Sequence, residues 1–173
     1  LLEYSLTKFS KIKKIKNTIV VMNRKHKKFI NKIEKHNFIR IYGGKTRQES
    51  TLKALKYIKK KIRCKNVLIH DVARPNPSVK LIKKIVKISG NKTVIPKIPI
   101  NDALKETLNK KMIISLDREN FFSTQTPQSF NFKEIFNLHI NNNLLYKDDD
   151  FSLLQTINNV KFIDGERNNF KIT

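Results

Sequence analysis

The chain has 173 residues, of which 37 are Lys or Arg and 14 are Asp or Glu, for a formal net charge of +23 at pH 7. That length suits one domain able to bury a core, and the single cysteine, Cys64, excludes a disulfide frame and a thiolate metal site and fits a reducing compartment. No apolar run approaches the roughly 20 residues of a membrane span and no signal peptide opens the sequence, so a cytoplasmic protein without a membrane partner is expected.

Leu1, Leu2, Tyr4, Leu6, Phe9 and Ile12 recur at helical spacing and predict a first helix, followed by a short β-branched strand in NTIVVMN, residues 17–23. HKKFINKIEKH (26–36) reads as a helix, NFIRIYGG (37–44) as a strand ending in two glycines, RQESTLKALKYIKKKI (47–62) as the longest helix and NVLIH (66–70) as the next strand. Ser78 is the expected N-cap of a helix over 79–89 that Gly90 ends, and KTVIPKI (92–98) supplies another strand. DALKETL (102–108) and MIISLDR (112–118) break the helix rhythm as two extended segments, predicting a β-hairpin arm within 99–122 that either serves a partner subunit or packs on its own domain. NFKEIFNLHINN (131–142) and DDDFSLLQTIN (148–158) read as helices, and VKFIDG (160–165) and NFKIT (169–173) as closing strands. Apolar strands alternating with helices predict an α/β domain spanning 1–173, with an open, mostly parallel sheet covered by helices on both faces.

A charge of +23 raises a polyanion as partner. The lysines are spread through every segment, however, and no basic block interleaves with aromatics as single-strand binders require, so nucleic acid is not expected.

In an open parallel sheet, ligands bind beyond the carboxyl ends of the strands. The stretch VLIHDVARPNPS (67–78) delivers Asp71 and Arg74 to that edge, with Pro75 and Pro77 stiffening the loop. A carboxylate there can accept from sugar or polyol hydroxyls, and a guanidinium fork suits phosphate oxygens; a surface ion pair beside a turn is the alternative. Gly43 and Gly44 stand where the backbone must turn sharply or approach a ligand, with Gln48, Glu49 and Ser50 opening the next helix near where a nucleobase edge could lie. The loop lacks a Walker or dinucleotide pattern, and a plain strand-to-helix turn explains it equally. TQTPQSF (124–130) reads as an extended Thr-Pro turn. Asp148, Asp149 and Asp150 read as first-turn acids favoured by a helix dipole rather than as metal ligands. Lys171 on the last strand can reach a phosphate or cover the sheet edge. Histidines 26, 36, 70 and 139 show no ligand spacing, so no protein-held metal is expected.

Taken in order, GGKTRQES, IHDVARP, NDALK, SLDR, TQTPQSF, DDDFSLL and NNFKIT resemble the 2-C-methyl-D-erythritol 4-phosphate cytidylyltransferase family of the non-mevalonate isoprenoid pathway, over nearly the whole chain. The resemblance implies a Rossmann-like nucleotidyltransferase that joins CTP to a phosphorylated polyol and releases pyrophosphate. It implies that Gly43, Gly44, Ser50, Asp71 and Lys171 bind nucleotide, and that Asp71, Arg74, Thr126, Lys105 and Arg118 bind substrate. The resemblance further implies that Lys171 and Arg118 are catalytic, Lys171 near the α-phosphate and Arg118 binding the substrate phosphate from the arm across a homodimer. Mg2+ rides mainly on the triphosphate. The family's glycine-rich loop with its Arg and Lys is not found before Leu1, so this stretch alone is expected to be inactive, and a fused domain after Thr173 is left open. Lys45, Ala103 and Asp148 depart from the residues usual in the family. Ribitol 5-phosphate cytidylyltransferase and a basic nucleic-acid-binding domain are the alternatives; SLDR and NDALK favour methylerythritol over ribitol.

Overall fold

A computed structural model describes residues 1–27, 36–109, 111–141, 149–154, 156 and 159–172. After α1 (Leu2–Phe9), β1 (Ile19–Met22) pairs in parallel with β2 (Ile39–Tyr42). Then come α2 (Arg47–Lys61), β3 (Asn66–Ile69), α3 (Val79–Ile88), β4 (Thr93–Pro99) and the hairpin β5 (Leu104–Leu108) with β6 (Met112–Leu116). The chain returns through β7 (Phe122–Thr124), β8 (Gln128–Asn131), α4 (Phe132–Asn141) and β9 (Val160–Asp164). The helix expected over 26–36 falls largely on 28–35, outside the described residues.

The side-chain alternation of the strands sorts the core into two layers. Val67, Ile69, Ile95 and Phe162 face α2 and α4, where Leu55, Ile58, Phe132 and Ile135 meet them. Leu68, Val94 and Ile163 face the other way, onto Leu81 and Ile85 of α3. Helices therefore cover both faces, as the apolar strands require. Ser78 caps α3 as expected: its hydroxyl accepts from the Leu81 N–H at 3.0 Å. That same hydroxyl donates to the Glu166 carboxylate, which also accepts the Ser78 N–H at 2.8 Å, so the cap is tied to the far end of the sequence. Ser78→Ala is expected to lower stability by about 1–2 kcal/mol, read as a shift in the urea midpoint at unchanged slope.

The α/β architecture matches the expectation, with a difference in strand direction. β4 and β9 pair in parallel, but β8 lies antiparallel between β3 and β4, and β7 is antiparallel to β4, so the five-stranded sheet is mixed. The segment QSFN of β8 carries no strand-like apolar alternation; its buried Gln128 amide nitrogen and Ser129 hydroxyl find distant partners, while Gln128 Oε1 has none among the described residues. Gln128 Nε2 donates to Asp149 Oδ2 at 2.7 Å, and the Ser129 hydroxyl accepts from Ser89 at 2.7 Å. Burying such groups is costly unless they are hydrogen-bonded, a condition that tertiary structure meets for Gln128 Nε2 and the Ser129 hydroxyl.

Two expected elements do not form among the described residues. In place of a helix from 148 there is only a 3-10 turn over Phe151–Leu153, and Asp148 lies outside the described residues. The closing strand expected over 169–173 is absent over 169–172: the Arg74 and Gln125 side chains take the Asn169 carbonyl, and the Ile172 N–H bonds the Ala73 carbonyl without a ladder. Gln125 is the clamp: its Nε2 donates to the carbonyls of Glu166 and Asn169, and its Oε1 accepts the Glu166 N–H at 3.0 Å and the Asn169 amide at 3.3 Å.

Candidate active site

The β3–α3 loop, the turn at 125–127 and the segment 165–172 meet at one end of the sheet, and they are joined by named hydrogen bonds. The backbone N–H of Asp71 donates to the Thr126 hydroxyl at 3.1 Å. Arg74 Nη1 donates to the Asn169 carbonyl at 2.9 Å, and the Ile172 N–H donates to the Ala73 carbonyl at 2.8 Å. Lys171 is therefore held on a segment whose backbone is bonded to the Asp71–Arg74 loop, with its own side chain exposed. Asp71, Arg74, Thr126 and the Lys171 segment, expected together from the sequence, are brought together.

The start of α2 joins the same cluster through a residue the sequence reading did not single out. Arg47, the first residue of the helix, donates through Nε to Asp71 Oδ1 at 3.0 Å and pairs through Nη2 with Asp150 Oδ2 at 2.7 Å. Asp150 is fully buried, and its other oxygen lies 2.8 Å from Nε2 of the buried His139. Burial opposes charge on Arg47, but Asp150 and Asp71 outweigh it and hold the guanidinium more firmly protonated than usual. A signal was present: a cation in the first turn opposes the helix dipole, so Arg47 needed an anionic partner from elsewhere.

The three adjacent acids thus divide. Asp149 does act as a cap, accepting the Ser152 N–H at 2.9 Å, and it also accepts from Thr124 and Gln128 at 2.7 Å. Burial pushes its pKa up, but the hydrogen bonds from Ser152, Gln128 and Thr124 prevail and hold the carboxyl below its ordinary value. Asp150, expected as a cap, is instead the buried anion of the Arg47 and His139 pairs.

Gly43 and Gly44 pack directly on α2. A Cβ would stand 2.6 Å from the Ser50 hydroxyl oxygen at Gly43 and 2.3 Å from Glu49 Cβ at Gly44, so a side chain is excluded by close approach of the helix. The Gly44 N–H donates to the Ser50 hydroxyl at 3.1 Å, which itself donates to the Thr46 carbonyl at 2.8 Å. Thr46 caps the helix through the Glu49 N–H, and Glu49 returns to the Lys45 N–H at 2.8 Å, close to a capping box.

The arm residues lie apart from this cluster within the chain. Lys105 Nζ donates across the hairpin to the Ser115 hydroxyl at 2.6 Å, and Arg118 Nη1 donates to the Asn101 carbonyl at 2.6 Å, closing the arm's base. Both side chains are exposed, and Leu108, Ile113, Phe121 and Phe122 on and beside the arm are exposed apolar groups.

Residues 1–173 match the family described as IspD: 2-C-methyl-D-erythritol 4-phosphate cytidylyltransferase. The chain belongs to the IspD family. It is 41% identical over 174 residues to the bifunctional enzyme IspD/IspF of Pelagibacter ubique, covering all of this chain and 46% of that protein. It is 35% identical over 182 residues to the 2-C-methyl-D-erythritol 4-phosphate cytidylyltransferase of Dictyoglomus thermophilum, covering 98% of this chain and 78% of the relative. The crystal structure of the 4-diphosphocytidyl-2C-methyl-D-erythritol synthase from Anaerococcus prevotii superposes with a TM-score of 0.87 at 29% identity, covering 99% of this chain and 79% of that one. The IspD-family chain thus spans less than half the length of the bifunctional relatives it matches, 46% and 35% of two of them.

Proposed function

We propose that residues 1–173 belong to a single nucleotidyltransferase domain of a protein that transfers CMP from CTP to 2-C-methyl-D-erythritol 4-phosphate. The observation that carries this reading is the bonded cluster of Asp71, Arg74, Thr126 and the Lys171 segment at one sheet edge, within a chain of the IspD family. A phosphate oxygen of the polyol attacks the α-phosphorus in line, the new P–O bond forms as the α–β bridge breaks, and pyrophosphate leaves with the electron pair. Lys171 supplies positive charge at the α-phosphate, where charge builds in the transition state. Arg74 contributes its positive charge beside the site, and Asp71 keeps one carboxylate oxygen for ligand hydroxyls. Gly44 and Ser50 line the nucleobase side.

Among the described residues no three His, Cys, Asp or Glu side chains gather as metal ligands, and the oxygens of Asp149 and Asp150 are already engaged. They do not fit a protein-held Mg2+. The ion is read as riding on the triphosphate, and no step above passes through it.

The arm is read as the contact of a homodimer, placing Arg118 and Lys105 at a partner's substrate phosphate. A two-stranded hairpin is marginal alone, and this one exposes Leu108 and Ile113 near its tip, with Phe121 and Phe122 exposed past its base, which supports a covering partner. No described helix is long and apolar enough to cross a membrane, which accords with a cytoplasmic enzyme.

The test is pyrophosphate release by the full-length protein from CTP with either methylerythritol phosphate or ribitol 5-phosphate. Turnover of the first alone supports the reading, and turnover of ribitol phosphate alone overturns it. Arg118→Ala is expected to raise the KM for the phosphorylated polyol roughly 10- to 100-fold, since a charge-assisted pair is worth about 1.5–3 kcal/mol, with little change for CTP. An equal rise for both would count against the arm assignment.

A further inference from the structure

We propose that His70 is a positioning residue that fixes Thr126 as a hydrogen-bond acceptor, so that Thr126 reads a ligand hydroxyl and not a phosphate oxygen. The proposal rests on the function just described and assigns the polarity of one of its contacts.

The proton positions follow from chemistry. His70 Nε2 lies 3.0 Å from the Arg74 carbonyl oxygen. A carbonyl can only accept, so Nε2 carries a hydrogen. The other nitrogen, Nδ1, lies 3.1 Å from the Thr126 hydroxyl. A neutral ring with its hydrogen on Nε2 has a lone pair on Nδ1, so Thr126 must donate its single hydroxyl proton there. The same oxygen already accepts the Asp71 N–H at 3.1 Å. One lone pair is left, and no proton.

An unprotonated phosphate oxygen has nothing to offer such a group, whereas a polyol or ribose hydroxyl can donate to it. Asp71, whose backbone N–H is one partner of this hydroxyl, also presents an acceptor. The two side by side make a station for hydroxyls, leaving phosphates to Arg74 and Lys171. Thr126 itself is buried, with 3% of its surface exposed, so the relay cannot be replaced freely by water.

The neutral state of the ring is built in. Burial is the largest influence on His70 and pushes its pKa down from 6.5 to about 4. The charged groups facing it are Asp71 and Arg74 on its own loop and Lys8 at the end of α1, where the Phe9 ring also packs 5.0 Å from the imidazole. Asp71 favours protonation, and Arg74 and Lys8 oppose it. Protonating Nδ1 would reverse the bond and free the Thr126 proton.

The test uses full-length protein with nitrogen-labelled histidine, observed by NMR through the couplings of each ring nitrogen to the ring carbon-bound protons. Hydrogen on Nε2 alone at pH 7 is expected; hydrogen on Nδ1 at that pH, in either the other tautomer or the imidazolium, overturns the proposal. Kinetics separate positioning from bulk. His70→Phe keeps the ring and removes both bonds, and is expected to raise the KM for the phosphorylated polyol about 3- to 10-fold while changing that for CTP less. His70→Gln, whose carbonyl can accept from Thr126 and whose N–H can reach the Arg74 carbonyl, is expected to recover most of the loss. Equal behaviour of the two variants overturns the proposal. If the wild-type protein turns over neither polyol phosphate, the assigned function fails, while the NMR result still decides the relay.

Discussion

Replacing Arg47 by alanine is expected to destabilise the folded protein by about 3–5 kcal/mol, measured as a fall in the urea midpoint at pH 7. The magnitude follows from Asp150, whose side chain is 0% exposed and pairs with Arg47 at 2.7 Å. Without the guanidinium, a buried carboxylate is left with His139 as its remaining partner among the described residues. The loss is of compensation for a desolvated charge rather than of a surface ion pair, which would be worth less than about 1 kcal/mol. The Asp71 contact adds little to stability, being partly exposed, but it orients the carboxylate of the proposed hydroxyl station. Asp150→Asn in the Arg47→Ala background should recover a large part of the loss, since the uncompensated charge is then gone. Strict additivity of the two substitutions would sink this account.

The second large effect is a loss of stability in mild acid. The His70 ring has an ordinary pKa of 6.5 in the unfolded chain and about 4 in the folded one. Between those values the unfolded state binds a proton that the folded state refuses, so stability is full above 6.5 and falls as pH drops toward 4. The slope integrates to at most about 3 kcal/mol. Asp149 acts in the same direction at lower pH: its carboxyl is depressed in the fold, so its contribution is present above the ordinary aspartate range and is lost on further acidification. Urea unfolding from pH 7 to pH 4.5 should show the decline in the wild type and much less of it in His70→Phe, whose baseline stability is lower. An unchanged slope in that variant would assign the effect to other groups.

Part of this was legible because it is local. Apolar runs ending in polar loops marked β1 to β4 and β9, and Ser78 before VKLIKKIVKI marked the cap of α3 that the structure shows. Asp71 and Arg74 could be placed at the sheet's carboxyl edge because a strand leads straight into them. Gly43 and Gly44 were visible as a close approach, though not that the approaching group is α2's own Ser50 and Glu49.

What escaped the sequence depends on partners far away along the chain. QSFN became an inner strand with Asp149 taking the Gln128 amide hydrogen and Ser89 pairing with the Ser129 hydroxyl. NFKIT lost its expected strand because Gln125 and Arg74 occupy the carbonyl of Asn169. The sequence by itself determined the alternation of strands and helices, the two-faced burial and the loop that carries Asp71 and Arg74, since these follow from residue periodicity and turn chemistry. Only the tertiary structure decided that Arg47 joins Asp71 to the buried Asp150 and that His70 takes the proton of Thr126. Hydrogen-bond direction and charge compensation depend on which groups meet in space, and no spacing along a chain encodes that meeting.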